Sequence, residues 1–483
     1  MNYKIMGRFL AMLLLVEGFF MLPALAISLF GGETAAIYGF LLALGIMAAV
    51  IGILWLFCRT ANKALNAREG FVCVSLSWII MSLLGCLPFF FSGAIPHYVD
   101  ALFEMVSGFT TTGASILTEV ESLPKGILYW RSFSHWLGGM GVLVFLLALD
   151  TGNNGSGFTI HLLRAESPGP EVGKIAPKMS KTAGILYLIY IALTILNFLF
   201  LVLGKMPVFD AVCTAFGTAG TGGFGIKNDS LASYSPYIQN VTTVFMFLFG
   251  VNFGCYYLIL LRQFRSVLKD EELRVYLLLI AVSIGLLVLN LKDYYATLGE
   301  TIRHVAFQVG SIMSTSGFAT TDFNAWPGFS KSVLVILMFT GACAGSTCGG
   351  MKLVRVMMIF KSLRRNIRQV MHPRTVQVVR TSGRVVDETV LDNTNGYLAA
   401  YMIILILSCL LLSLDGHSFT TNVTAVIACF NNVGPGLEMV GPTGNFSAFS
   451  DFSKIVLIID MLAGRLEIFP ILVLLTRSTW KRR

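Results

Sequence analysis

Charge is scarce in this sequence. Only 13% of its 483 residues are Asp, Glu, Lys or Arg, against roughly a quarter in a soluble protein. With 55% hydrophobic residues and a mean hydropathy of +0.75, a water-soluble globule is excluded. Cysteine occurs nine times (58, 73, 86, 213, 255, 343, 348, 409 and 429), never in C-x-x-C spacing. Neither a disulfide framework nor a thiolate metal site is indicated, and these read as small core residues. The six histidines (97, 135, 161, 304, 372 and 417) are scattered, so the clustered chemistry of an integral-membrane enzyme is missing. His135, beside Trp136, reads as a satisfied helix histidine rather than a proton relay. "GPEVGK" (169–174) lacks the spacing and the following Ser/Thr of a phosphate loop, so no cofactor is assigned to this chain.

Long apolar runs are abundant. Ile185–Leu203, Val275–Leu291, Ser332–Gly350 and Gly396–Leu414 are uncharged and approach the roughly 20 residues that span a bilayer. The chain therefore reads as an all-α polytopic membrane protein. Its first 26 residues have the basic start, apolar run and A-x-A-like end of a signal peptide. The run is long, contains Glu17 and is soon followed by a second apolar segment, Ile37–Phe57, which favours a membrane helix pair over 1–69.

The net charge of +9 is distributed by side. Basic residues crowd alternate loops, around Arg59, Lys63 and Arg68, around Lys174 to Lys181, around Arg262 to Arg274, and from Lys361 to Arg384, ending in Lys481–Arg483. Loops between them carry acids such as Asp100, Glu121, Asp229, Asp322 and Glu438. The positive-inside rule makes the basic loops cytoplasmic, and the acidic loops outside would concentrate cations.

One run recurs four times: "EMVSGFTTTGASIL" (104–117), "CTAFGTAGTGGFGIKND" (213–229), "GSIMSTSGFATTD" (310–322) and "ACFNNVGPGLEM" (428–439). Each follows an apolar stretch too short to span and lies between two full-length ones. Four units of helix, half-helix, turn and helix are expected in pseudo-fourfold arrangement around one pore. Their boundaries are read at 70–150, 181–265, 266–360 and 396–483, with polar inserts at 151–180 and 361–395. A large apolar residue (Phe109, Phe216, Met313, Phe430) precedes a glycine by four positions in each turn, which selects Gly113, Gly220, Gly317 and Gly434, with Gly222 a rival in the second. Non-helical backbone at membrane depth must be buried in protein or line a water-filled cavity. Rings of carbonyl dipoles replace a cation's hydration shell in potassium channels, and half-helix C-termini also favour a cation. "NVGPG" (432–436) is close to the T-V-G-Y-G filter pattern.

These turns, with "GACAGSTCGGMKLVR" (341–355), "AGRLEIFP" (463–470) and the N-terminal pair, resemble the Trk/Ktr/HKT superfamily of potassium transporters. The resemblance covers nearly the whole chain. It implies potassium uptake across the bacterial cytoplasmic (inner) membrane, a homodimer, and a cytosolic ring of nucleotide-binding regulatory subunits of the TrkA kind. Carried over by position, it puts the potassium filter at Thr110, Thr111, Thr112 and Gly113, at Thr218, Ala219, Gly220 and Thr221, at Thr315, Ser316 and Gly317, and at Asn432, Val433 and Gly434. A serine at the first filter glycine accompanies sodium transport in the superfamily, so Gly113 favours potassium.

Within the third unit, "GACAGSTCGG" (341–350) is too rich in glycine for a sound helix. A close-packed small-residue interface is one reading. The resemblance favours a gate of Gly345, Ser346, Thr347, Gly349 and Gly350 below the filter. Arg465 lies in Ile455–Leu475, which otherwise reads as the last spanning helix, where a charge is expensive. It is expected to repel a leaving cation or to pin the 341–350 loop through carbonyls; the alternative is an ion pair with Asp460 or Glu467. Gly138, Gly139, Gly141, Gly250 and Gly254, at comparable depth in other units, read as packing sites or modest hinges. "VQVVRTSGRVVDETV" alternates around Ser382-Gly383, which points to a β-hairpin, and the basic inserts read as lipid-facing or docking surface. Channel-like conduction is the leading function. Proton- or sodium-coupled symport is the alternative, and it wants a midplane acid that, beyond the Arg465 neighbourhood, the sequence hardly offers.

Overall fold

The structure is a computed structural model that describes residues 3–58, 67–141, 179–375 and 377–480. Nearly all of the 151–180 insert, together with Arg59, Lys63, Arg164, Lys174, Lys178 and Lys481–Arg483, lies outside the described residues. Among the described residues, six helices are long and apolar enough to cross a membrane. Tyr3–Gly31 and Thr34–Phe57 form the N-terminal pair; Glu69–Phe91, Ala183–Leu203, Glu271–Asn290 and Glu388–Asp415 each open one of four similar units.

After each opening helix comes a half-length helix: Tyr98–Phe109, Val208–Gly220, Leu298–Met313 and Phe419–Phe430. Start signals are local. Thr297 Oγ1 accepts from Glu300 N at 3.2 Å and Ser418 Oγ from Thr421 N at 3.1 Å, satisfying otherwise orphaned first-turn donors. The last two turns of each half-helix are buried almost completely, as expected for elements surrounded by the outer helices.

The second helix of each unit is short. Lys125–Gly139, Pro236–Phe249, Gly328–Thr340 and Asp451–Arg465 run 13–15 residues and stop. Gly141 (φ +73°) and Gly341 (φ +62°) follow two of the stops, and the chain bends by 89° between Phe249 and Phe253. In the fourth unit Glu467 and Ile468 sit at φ +59° and +63°, a conformation that costs a β-branched residue such as Ile on the order of 1–3 kcal/mol. Ser332–Gly350 is a half-length helix followed by a loop over the glycine-rich 341–350. Ile455–Leu475, which reads as one spanning helix, is instead divided at Arg465. Apolar composition alone does not register a break whose loose carbonyls are taken up by neighbouring segments. Gly250 accordingly lies at a full break rather than a modest hinge.

The N-terminal pair is docked on the first unit. A Cβ at Gly39 would lie 2.9 Å from the backbone of Pro88 and Ser92, so glycine permits that close approach. Glu33 carboxylate oxygens accept from Lys125 N (2.6 Å) and Gly126 N (3.1 Å), meeting the positive end of the Lys125–Gly139 helix. The two-residue strands Arg380–Thr381 and Arg384–Val385 pair antiparallel, with Ser382 and Gly383 at positive φ in the turn, the geometry of a type I′ hairpin.

Candidate functional site: four re-entrant turns and a tethered loop

All four half-helices end in the same way. At each C-terminus one non-glycine residue takes a left-handed conformation: Thr111 (φ +55°), Thr221 (+54°), Thr315 (+54°) and Asn432 (+53°). Their N–H groups bond three residues back, to Gly108, Thr218, Ile312 and Cys429 carbonyls at 3.1–3.2 Å. The next N–H groups, of Thr112, Gly222, Ser316 and Val433, bond five residues back at 2.8–2.9 Å. These are Schellman closures. Two residues beyond each left-handed residue stands a glycine of positive φ: Gly113, Gly223, Gly317 and Gly434.

The four turns form a closed ring. A Cβ at Gly113 would run into the carbonyl oxygen of Gly222, one at Gly223 into that of Ser316, and one at Gly317 into that of Val433. One at Gly434 would lie 2.6 Å from the Thr112 oxygen, which returns the circuit to the first turn. A cavity of about 160 Å³ is lined by all four glycines together with Ser115, Arg131, Asn228 and Thr443. Around the ring, Thr110 and Thr112 hydroxyls pair at 2.7 Å, as do Ser314 and Ser316, and Asn432 Nδ2 donates to Thr112 Oγ1 at 3.0 Å.

The register differs from the expected one in the second turn alone. Thr218, Ala219 and Gly220 are the last residues of the Val208–Gly220 helix, and the segment matching Thr111–Gly113 is Thr221–Gly223. Phe216 misled the spacing. The position beneath the turn held by Phe109, Met313 and Phe430 is held by Ala219, while the Phe216 ring packs outward on Phe133 at 5.1 Å. Neither Gly220 nor the rival Gly222 has positive φ; Gly223 does, at +75°.

Below the ring, residues 341–352 form a buried loop without helix between Gly328–Thr340 and the long helix Leu353–Met371. It is tied to all four units. Gly349 N donates to Thr315 Oγ1 at 2.7 Å in the third turn. Cys343 N reaches Gly250 O (3.1 Å), and Gly345 O receives Phe253 N (3.0 Å), across the break of the second unit. Gly345 and Gly350 take φ +69° and +77°, where glycine alone is unstrained. Ser346 Oγ donates back to Cys343 O at 2.6 Å, and Thr347 Oγ1 to Phe249 O at 3.4 Å. Both ends are clasped by Glu272 Oε1, which accepts from Ala344 N (2.7 Å) and Val354 N (3.1 Å). Buried Lys352 donates its Nζ to Cys348 O.

Arg465, half-buried, ties the loop to the remaining two units. Its guanidinium donates to Thr347 O (3.0 Å) and to Gly138 and Gly139 carbonyls (2.5 and 2.8 Å) at the C-terminus of the first unit's second helix. The two acids offered as partners are engaged elsewhere, Glu467 with Arg355 and Asp460 with Ser408 Oγ at 2.8 Å. His135 is fully buried, and among the described residues neither ring nitrogen has a hydrogen-bond partner. Its ring stacks on Phe224 at 4.1 Å. On the outer face, Ser418 and Thr421 hydroxyls hydrogen-bond the exposed Glu438 and hold its carboxyl below the usual range. Gly223, Glu272 and Lys352 are not picked out by the sequence reading. The doubled glycine of "GTGGFG" is a signal for the first. The others become visible only once the loop is folded against them.

Six helices long and apolar enough to cross a bilayer define a multi-pass integral-membrane protein. The model of the TrkH family, a cation transport protein, matches residues 39–481. The Trk system potassium uptake proteins TrkH of Salmonella typhimurium and Escherichia coli K12 are each 35% identical over 491 residues, covering 100% of both chains. TrkG of Escherichia coli K12 is 31% identical and covers 95% of each. The crystal structure of the potassium transporter TrkH from Vibrio parahaemolyticus matches with a TM-score of 0.89 at 31% identity, covering 100% of both chains. The chain belongs to the TrkH family, a family of transporters and not of enzymes.

Proposed function

We propose that this chain takes up potassium across the bacterial cytoplasmic membrane through a channel-like pore. The closed ring of Gly113, Gly223, Gly317 and Gly434 around one cavity carries the reading. Carbonyls of Thr111–Gly113, Thr221–Gly223, Thr315–Gly317 and Asn432–Gly434 replace the ion's water, and glycine at the last position keeps side chains out of the lumen. The potassium uptake named for the relatives supports the choice of ion. Entry is driven by the membrane potential, worth about 2.3 kcal/mol per charge per 100 mV.

The 341–350 loop is the gate and Arg465 holds it shut. The unit boundaries are those read from the repeats, and the helix from Leu353, with the basic 361–395 segment, offers the cytoplasmic face to a TrkA-like, nucleotide-binding regulatory subunit. The working assembly is a homodimer of complete pores. The test is ion occupancy. Anomalous scattering from crystals grown in rubidium is expected to peak within the ring, between the Thr112, Gly222, Ser316 and Val433 carbonyls. A ring without rubidium, beside occupied sites elsewhere, contradicts the proposal.

A further inference from the structure

The ring is not braced equally on its four sides. Glu104, in the first half-helix, and Arg131, in the second helix of that unit, form an ion pair of 2.6 Å with side chains 0% and 3% exposed. Both groups are further engaged. Glu104 accepts from Ser115 Oγ at 2.9 Å and from Ile116 N at 3.0 Å. Arg131 donates to Gly225 O at 2.9 Å and to Ser115 Oγ at 3.2 Å, and its guanidinium lies 3.6 Å from the centre of the Phe224 ring.

Ser115 and Ile116 belong to the strand leaving Gly113; Phe224 and Gly225 belong to the strand leaving Gly223. One buried pair therefore grips two neighbouring strands, with Arg131 at the edge of the cavity they line. His135, one turn along the same helix, adds its stack on Phe224. Seven residues before the left-handed residue, where the first unit has Glu104, the other units have Thr214, Gln308 and Ala425. A carboxylate occurs there once in four. A buried ion pair is an uncertain source of stability, since desolvation opposes it, and such pairs are better attested where they fix one arrangement against others.

We propose that Glu104 and Arg131 are positioning residues that set ion specificity. They hold the first and second filter strands at the separation that suits potassium and prevent the ring from contracting around the smaller sodium ion. Neither touches the ion. The inference rests on the filter reading above.

The experiment compares potassium-to-sodium permeability ratios, from reversal potentials in planar bilayers, for the full chain and four variants. Glu104→Gln keeps the shape but leaves Arg131 unpaired. Its ratio is expected to fall about tenfold, the equivalent of ~1.4 kcal/mol, with potassium still conducted. Glu104→Asp, which keeps the charge, is expected to recover most of the ratio. Ser115→Ala and Phe224→Leu leave the ion pair intact, loosen its hold on one strand each, and are expected to lower the ratio less. A general folding defect reduces the number of active molecules and leaves a reversal potential where it was. An unchanged ratio in Glu104→Gln overturns the proposal. If that variant does not fold, unchanged ratios in both Ser115→Ala and Phe224→Leu overturn it. A wild-type chain that does not favour potassium overturns the filter reading itself, and this inference with it.

Discussion

Replacing Arg465 by alanine is expected to raise ion flux. The side chain donates to Thr347 O in the loop and to the Gly138 and Gly139 carbonyls. Hydrogen bonds from a charged donor are worth about 1.5–3 kcal/mol each. The Gly138 and Gly139 carbonyls end a helix and can be met by water entering the widened pore. The hold on the loop is therefore the Thr347 bond, and losing ~2 kcal/mol of it shifts the closed-to-open balance about thirtyfold. The assay is rubidium uptake into proteoliposomes at an imposed voltage, normalised to protein incorporated. Arg465→Lys separates pinning from repulsion, because it keeps the charge but not the forked reach to several carbonyls. Pinning predicts intermediate flux for lysine; a purely electrostatic barrier predicts wild-type flux. Unchanged uptake in Arg465→Ala would refute the reasoning.

Other substitutions test the ring and its supports. Thr315→Val removes the hydroxyl that receives Gly349 N at 2.7 Å, leaving a buried N–H unmet at about 1–3 kcal/mol; basal rubidium flux should rise severalfold. Gly223→Ala places a Cβ against the Ser316 carbonyl at φ +75°, and is expected to abolish potassium flux. Gly184→Ala, in a helix with nothing within 4 Å, should leave flux unchanged. Phe109→Ala empties a fully buried site beneath the first turn and should cost ~3–5 kcal/mol, read as a lowered thermal transition in detergent.

Much of this architecture is legible in the residues. Four Gly/Thr runs between apolar segments give the units, because re-entrant backbone must be sheltered and so imposes a repeated composition. Gly345 and Gly350 announce the loop by their density, and Ser382-Gly383 the hairpin by its alternation. What was not legible depends on partners distant in sequence. The second turn carries Ala219 where the others carry a large side chain, so spacing from Phe216 slips by three residues, and the hydrogen bonds of Thr221 and Gly222 restore the register. Glu272 looks like an ordinary first-turn acid until Ala344 and Val354 fold against it. Arg131 and Glu104 stand 27 residues apart, and no local pattern pairs them.

The central claim is passive, potassium-selective conduction. Its most direct test is flux into proteoliposomes holding this chain alone, with potassium, rubidium and sodium compared at an imposed voltage, with and without a proton gradient. The account predicts voltage-driven flux of potassium and rubidium well above that of sodium, and indifferent to the proton gradient. Potassium flux that requires a proton or sodium gradient would contradict it and make the chain a symporter.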